Sequence, residues 1–101
     1  MKKKKIYIAG KITGDPGYKE KFAAMKKNLQ KEDTAVMNPA ELPEGMCPAD
    51  YMKICLAMID AADIVYFHSG YSESRGACIE MMYCQYIGKE IRIWSRPTEN
   101  R

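Results

Sequence analysis

The chain has 101 residues, 47% hydrophobic and 29% charged, which is the size and balance of one folded domain with no room for a second. Its formal charge of +3 collects in one run, the lysines at 2–5; without them 12 basic residues face 13 acidic ones, so no basic stripe remains that could track a nucleic-acid backbone. No apolar stretch approaches the roughly 18–20 residues of a membrane span, and the apolar run after the lysines is too short for a signal-peptide core, so the expected setting is cytoplasmic, away from membranes.

Residues 6–9, Ile6-Tyr7-Ile8-Ala9, form a β-branched and aromatic run closed by Gly10, and a polar segment from Lys11 to Gly17 follows. That pattern predicts a strand and then a loop, with residues 1–5 as a basic tail. Over residues 18–30, Phe22, Ala23, Met25 and Leu29 recur among Lys and Glu at helical spacing, predicting an amphipathic helix. Residues 34–37 read as a second strand, ended at Asn38-Pro39 because proline removes a donor and biases its predecessor away from helix. The Pro-rich stretch 39–48 is the longest irregular segment and a natural binding loop.

Asp50 is positioned to cap a helix over residues 51–62, with Ile54, Met58 and Ala61 on its inner face. Residues 63–67, apolar after Asp63, predict a strand buried on both faces. A loop leads to a helix over 74–87, closed by Gly88 as a C-terminal cap, and residues 91–94 make a last strand before a polar tail over 96–101. Strands and helices alternate as βαβαβαβ, so the expected architecture is α/β, a small parallel sheet with helices on both faces. Ligands of such sheets bind outside the carboxyl ends of the strands. The loops after Ala9, Met37 and Phe67 are therefore the ones to examine.

Two features of the third loop and its helix point to chemistry. Ser74 stands at the helix start with Gly76 two positions on, so a hydroxyl, unpaired backbone N–H groups and an open approach coincide at a positive dipole end. This suits a phosphate or carboxylate, and it equally suits an ordinary serine cap. Glu80 is the one carboxylate between Ala77 and Ile87, with Gly76, Ala77, Tyr83 and Cys84 as its helical neighbours and no cation among them. A carboxylate buried there would have its pKa raised, as catalytic acids and nucleophiles do. Alternatively the face is less buried than it looks, or Lys11 or Tyr7 satisfies it. Six residues of helix from Ser74 to Glu80 rise roughly 9 Å, comparable with one sugar-phosphate unit.

Ile6-Tyr7-Ile8-Ala9-Gly10, Asn38-Pro39-Ala40-Glu41-Leu42, Ala62-Asp63 and Ser74-x-Gly76-x-x-x-Glu80 together resemble the nucleoside 2-deoxyribosyltransferase superfamily, and within it the small DUF4406 proteins. The resemblance implies a flavodoxin- or Rossmann-like three-layer sandwich that breaks an N-glycosidic bond of a nucleoside or nucleoside 5′-monophosphate without a cofactor or metal. By that resemblance Glu80 is the nucleophile, Tyr7 orients it, and the glycosyl-enzyme passes the sugar to a second base or to water. Gly10, Lys11 and Thr13 match the loop around the sugar, Asn38 and Pro39 the second loop, and Ser74 with Gly76 the 5′ group. Ser74 resembles the serine of monophosphate hydrolases, which tilts the substrate toward a 5′-monophosphate. One departure stands out: the position of the family's second carboxylate falls on Cys55, while Asp60, five residues on, points elsewhere. The alternative reading is therefore a nucleotide-binding or sequestering module without turnover. A purely structural interaction domain is a third.

The remaining signals weigh less. Cys47, Cys55, Cys78 and Cys84 contain no Cys-x-x-Cys pair, which argues against zinc and for reduced thiols packed as small hydrophobes, although pairing in an oxidising compartment stays open. Gly10-Lys11-Ile12-Thr13 lacks the upstream glycine of a P-loop, since position 5 is lysine. His68 reads as a strand-end residue. Eight methionines, with Tyr51, Tyr83 and Tyr86, predict a packed core or a subunit interface. A homo-oligomer, dimer or larger, is expected, with a neighbour supplying part of the wall of the site, as the resemblance also implies.

Overall fold

The computed structural model describes residues 2–97. Four parallel strands, β1 (Lys4–Ala9), β2 (Thr34–Met37), β3 (Ile64–His68) and β4 (Glu90–Trp94), alternate with three helices, α1 (Tyr18–Leu29), α2 (Pro48–Ala61) and α3 (Arg75–Ile87). The strands form one sheet in the order β2-β1-β3-β4. This is the expected α/β alternation in a flavodoxin-like arrangement.

Strand alternation explains the layers. Along β1, Ile6 and Ile8 join Ile64, Trp94 and the α1 side chains Phe22 and Met25 in one core. Tyr7 and Ala9 point the other way, into a second core with Val65 and Phe67 of β3, Cys55 and Ile59 of α2, and Met81 and Cys84 of α3. A central strand buried on both faces needs apolar residues without a gap, which is why β1 and β3 carry unbroken apolar runs. Each large side chain fully buried here contributes roughly 1.5–3 kcal/mol of transfer free energy. Trp94 adds a tether, its Nε1–H donating to Asn28 Oδ1 of α1 at 2.7 Å.

Several boundaries differ from expectation. The strand begins at Lys4, not after a tail ending at residue 5, because Lys4 and Lys5 already pair with Thr34 and Ala35. Asp63 locks that end: its backbone N–H donates to Lys5 O and its carboxylate accepts from Lys5 N–H, both at 2.8 Å. Helix α2 starts at Pro48 with Cys47 in the cap position, and Asp50 lies in its first turn. Proline at the first helical position costs no hydrogen bond and pre-sets φ, so it outranks the acidic cap. The inner face shifts accordingly to Cys55 and Ile59, with Ile54 and Met58 half-buried and Ala61 exposed. Within the Pro-rich stretch 39–48, expected to be irregular, Pro39–Glu41 forms a short 3-10 turn. Helix α3 ends on Gly88, whose φ of 74° is the left-handed conformation that closes a helix. Of the expected polar tail, residues 98–101 lie outside the described residues.

The sheet order places the site. Chain leaving β1 runs over one face through α1, and chain leaving β3 runs over the other through α3. The carboxyl ends of these adjacent strands therefore open a crevice between diverging connections.

Candidate functional site

The crevice is a cavity of about 840 Å³, large enough for a nucleotide-sized ligand. The loop after β1 lines it with Gly10, Lys11, Ile12 and Thr13, and the loop after β2 with Pro39, Ala40 and Leu42. Helix α2 contributes Pro48, Tyr51, Met52 and Cys55, and the start of α3 contributes Ser74, Arg75, Gly76 and Glu80. All three loops singled out by sequence thus meet in one place.

Glu80 sits at a core-facing position of α3, in the same buried stripe as Ala77, Met81 and Cys84. It is only 8% exposed, yet it reaches the cavity wall. Tyr7, from the middle of β1, lies behind it at 1% exposure, its Oη–H donating to Glu80 Oε1 at 3.0 Å. Of the two candidate partners of Glu80, it is Tyr7 and not Lys11 that makes the contact. Burial pushes the Glu80 carboxyl up to about 7, against the opposing pull of hydrogen bonding from Tyr7 and Cys55. Burial, with the neighbouring carboxylate, also raises the Tyr7 phenol well above its ordinary value, and burial pushes the Cys55 thiol up to about 11. A carboxyl with neutral donors and, among the described residues, no cation paired with it therefore changes charge near neutral pH, so it can serve as base or nucleophile in one form and as acid in the other.

The other end of the cavity is the start of α3. Ser74 Oγ accepts from Ala77 N–H at 3.1 Å, so the serine does cap the helix. Its hydroxyl hydrogen remains free to donate, and among the described residues the amides of Arg75 and Gly76 have no partner. A Cβ on Gly76 would meet Met52 Cε at 3.8 Å and Ser74 Oγ at 3.9 Å, ordinary contacts. Packing does not demand glycine there, and the missing side chain leaves the amides open to the cavity. Gly10 is different: a Cβ would come within 3.0 Å of His68 Cβ and 3.3 Å of a Phe22 ring carbon, so the close packing of β1 against its neighbours already accounts for it.

Asn38 does not line the cavity. It is buried, and its Oδ1 accepts from Ala40 N–H at 2.9 Å to start the 3-10 turn that presents Pro39 and Ala40. Asp60 is engaged outside the site, accepting from Tyr83 Oη at 2.6 Å. His68 ends β3, with Nδ1 accepting from Gly70 N–H and its ring 5.8 Å from that of Trp94. The four cysteines are free. Sequence reasoning missed Tyr18, Tyr51 and Met52, which also form walls. Tyr51 had one signal, its place at the end of the Pro-rich loop, to which it is bound through Pro43 O and Met46 N–H.

Comparisons with known proteins bear on the family and the fold. A family model described as a domain of unknown function, DUF4406, matches residues 4–93. A solved structure described as 2-desoxiribosyltransferase from Leishmania mexicana superposes with a TM-score of 0.72, covering 95% of this chain and 67% of that one at 21% identity. At that identity the likeness speaks for the fold. No curated protein matches the chain by sequence.

Proposed function

The chain belongs to the DUF4406 family, and from its site we propose that it cleaves the N-glycosidic bond of a nucleoside 5′-monophosphate or nucleoside, with Glu80 as nucleophile. The observation that carries this reading is a buried carboxylate, hydrogen-bonded by Tyr7, on the wall of a nucleotide-sized cavity whose other end is the open start of α3. The similarity in fold to a deoxyribosyltransferase supports a nucleoside ligand.

The chemistry follows from charge. As the base departs, the anomeric carbon becomes oxocarbenium-like, and a fixed carboxylate stabilises that positive charge before bonding to it. Tyr7 is the positioning residue, fixing one oxygen of Glu80 so that the other is presented to the sugar. Ser74, the amides of Arg75 and Gly76, and Lys11 hold the 5′ phosphate, and Thr13 and Pro39 shape the sugar and base pocket. Water or a second base then takes the sugar from Glu80. Incubation with a panel of nucleosides and 5′-monophosphates, with and without an acceptor base, should release free base. Glu80→Ala should abolish that release, and release that persists unchanged in the variant overturns the assignment.

One observation favours a second reading. The Cys55 thiol, pushed up to about 11 by burial, is a poor proton donor to a leaving base, which suits a module that binds nucleotides without turnover. Calorimetric binding with no released base would select this reading.

A further inference from the structure

A base leaving as an anion must be protonated, and the cavity is poor in groups that could do it. Tyr7 is already donating to Glu80. The α2 wall offers Tyr51, Met52 and Cys55, and the loop after β2 offers Pro39, Ala40 and Leu42, with no carboxyl among them. The other two carboxylates of the lining are exposed: Glu44, on the loop before α2, is ion-paired with Lys19, and Glu73, ending the 3-10 turn Tyr71–Glu73, adjoins Ser74 at the start of α3.

The charge at Glu80 itself points the same way, because the two cations of the lining, Lys11 and Arg75, form no described ion pair with it. Glu80 is buried, and no described ion pair gives it a cation. Two aromatic rings, Tyr18 and Tyr51, line the cavity as well, and aromatic faces attract cations. A ligand with a positive ring would supply the missing counter-charge and need no proton on departure.

Resting on the glycosidase reading above, we propose that the cavity selects nucleotides whose base carries a fixed positive charge, an N-glycosyl pyridinium or an N-alkylated purinium. A Glu80 oxygen bonds to the anomeric carbon as the carbon–nitrogen bond breaks. The bonding pair passes to the ring nitrogen, neutralising it, so the base leaves without a proton donor. Water then displaces Glu80 from the sugar, and its extra proton goes to solvent. The net reaction releases one proton per turnover, whereas hydrolysis of an uncharged nucleotide releases none.

The test compares nicotinamide mononucleotide and 7-methylguanosine 5′-monophosphate with GMP and UMP, each corrected for its uncatalysed rate, in wild type, Glu80→Gln and Cys55→Asp. The wild type should accelerate release of charged bases at least about 100-fold more than uncharged ones, the usual worth of a general acid. Stoichiometric acid release should accompany turnover. Activity toward only one of the two charged substrates also supports the proposal and assigns the source of the ring. Cys55→Asp, which adds a carboxyl beside Glu80, should narrow the gap by raising release from GMP or UMP. Glu80-dependent release that is equal for charged and uncharged bases overturns the charge selection and leaves the glycosidase reading standing. No Glu80-dependent release from any of the four overturns the charge selection, and the same outcome across the wider panel of nucleosides and 5′-monophosphates overturns the glycosidase reading as well.

Discussion

Glu80 destabilises the fold that holds it. With the carboxyl moved from 4.5 up to about 7 by burial, the folded chain keeps a proton that the unfolded chain has lost across that interval. The folded state then binds more protons, and stability falls as pH rises. Below the lower value both states are protonated and the effect vanishes; above about 7 it is fully developed, worth roughly 3 kcal/mol. Glutamine fills nearly the same volume and can still accept from Tyr7, but it cannot ionise. Urea unfolding of wild type and Glu80→Gln should therefore give similar stabilities near pH 4, with the variant gaining by about 3 kcal/mol toward pH 8. Other titrating groups are common to both proteins and cancel. A difference that stays constant with pH would show that Glu80 is not held neutral by its surroundings. A carboxylate retained at such a position at a cost in stability is the pattern expected of a functional group.

Helix α3 joins two requirements at one serine: capping and, in the proposed function, anion binding. These can be separated because aspartate caps a helix about as well as serine while placing a negative charge where a phosphate would lie. Ser74→Asp should melt within a few degrees of wild type, yet release base from a 5′-monophosphate about tenfold or more slowly, with the matching nucleoside little affected. Equal losses on both substrates would leave Ser74 as a cap alone. The elements themselves were largely legible in the sequence, β2 at its observed bounds and α3 with its cap and Gly88, because periodicity and punctuation are local. Asp50 misled because Pro48 starts the helix earlier. Glu80, Ser74 and Gly76 stood out by chemistry against pattern. Tyr18, Tyr51 and Met52 did not, since an aromatic or methionine wall is indistinguishable from core until the helices are placed around the sheet.

At the scale of the whole molecule, α3 has two apolar faces and the described residues cover only one. Ala77, Glu80, Met81 and Cys84 turn inward, whereas Ile79, Met82 and Tyr86, spaced along the opposite face, are 49%, 67% and 92% exposed. No helix among the described residues is long and apolar enough to cross a membrane. We propose a second copy of the chain. A stable pair buries about 800 Å² on each partner, more than three side chains supply, so the contact has to extend along the helix. Ile79 provides the direction, since it also lines the cavity. An interface continued through Ile79 brings the partner to the mouth of the site and shields Glu80 from water. Light scattering should report a dimer or larger for the wild type and a shift toward monomer for Met82→Glu combined with Tyr86→Lys. Base release per chain should fall in step with dissociation on dilution, although neither substituted residue lines the cavity. A wild type that stays monomeric and equally active at every concentration would mean that the exposed face of α3 has no part in closing the site.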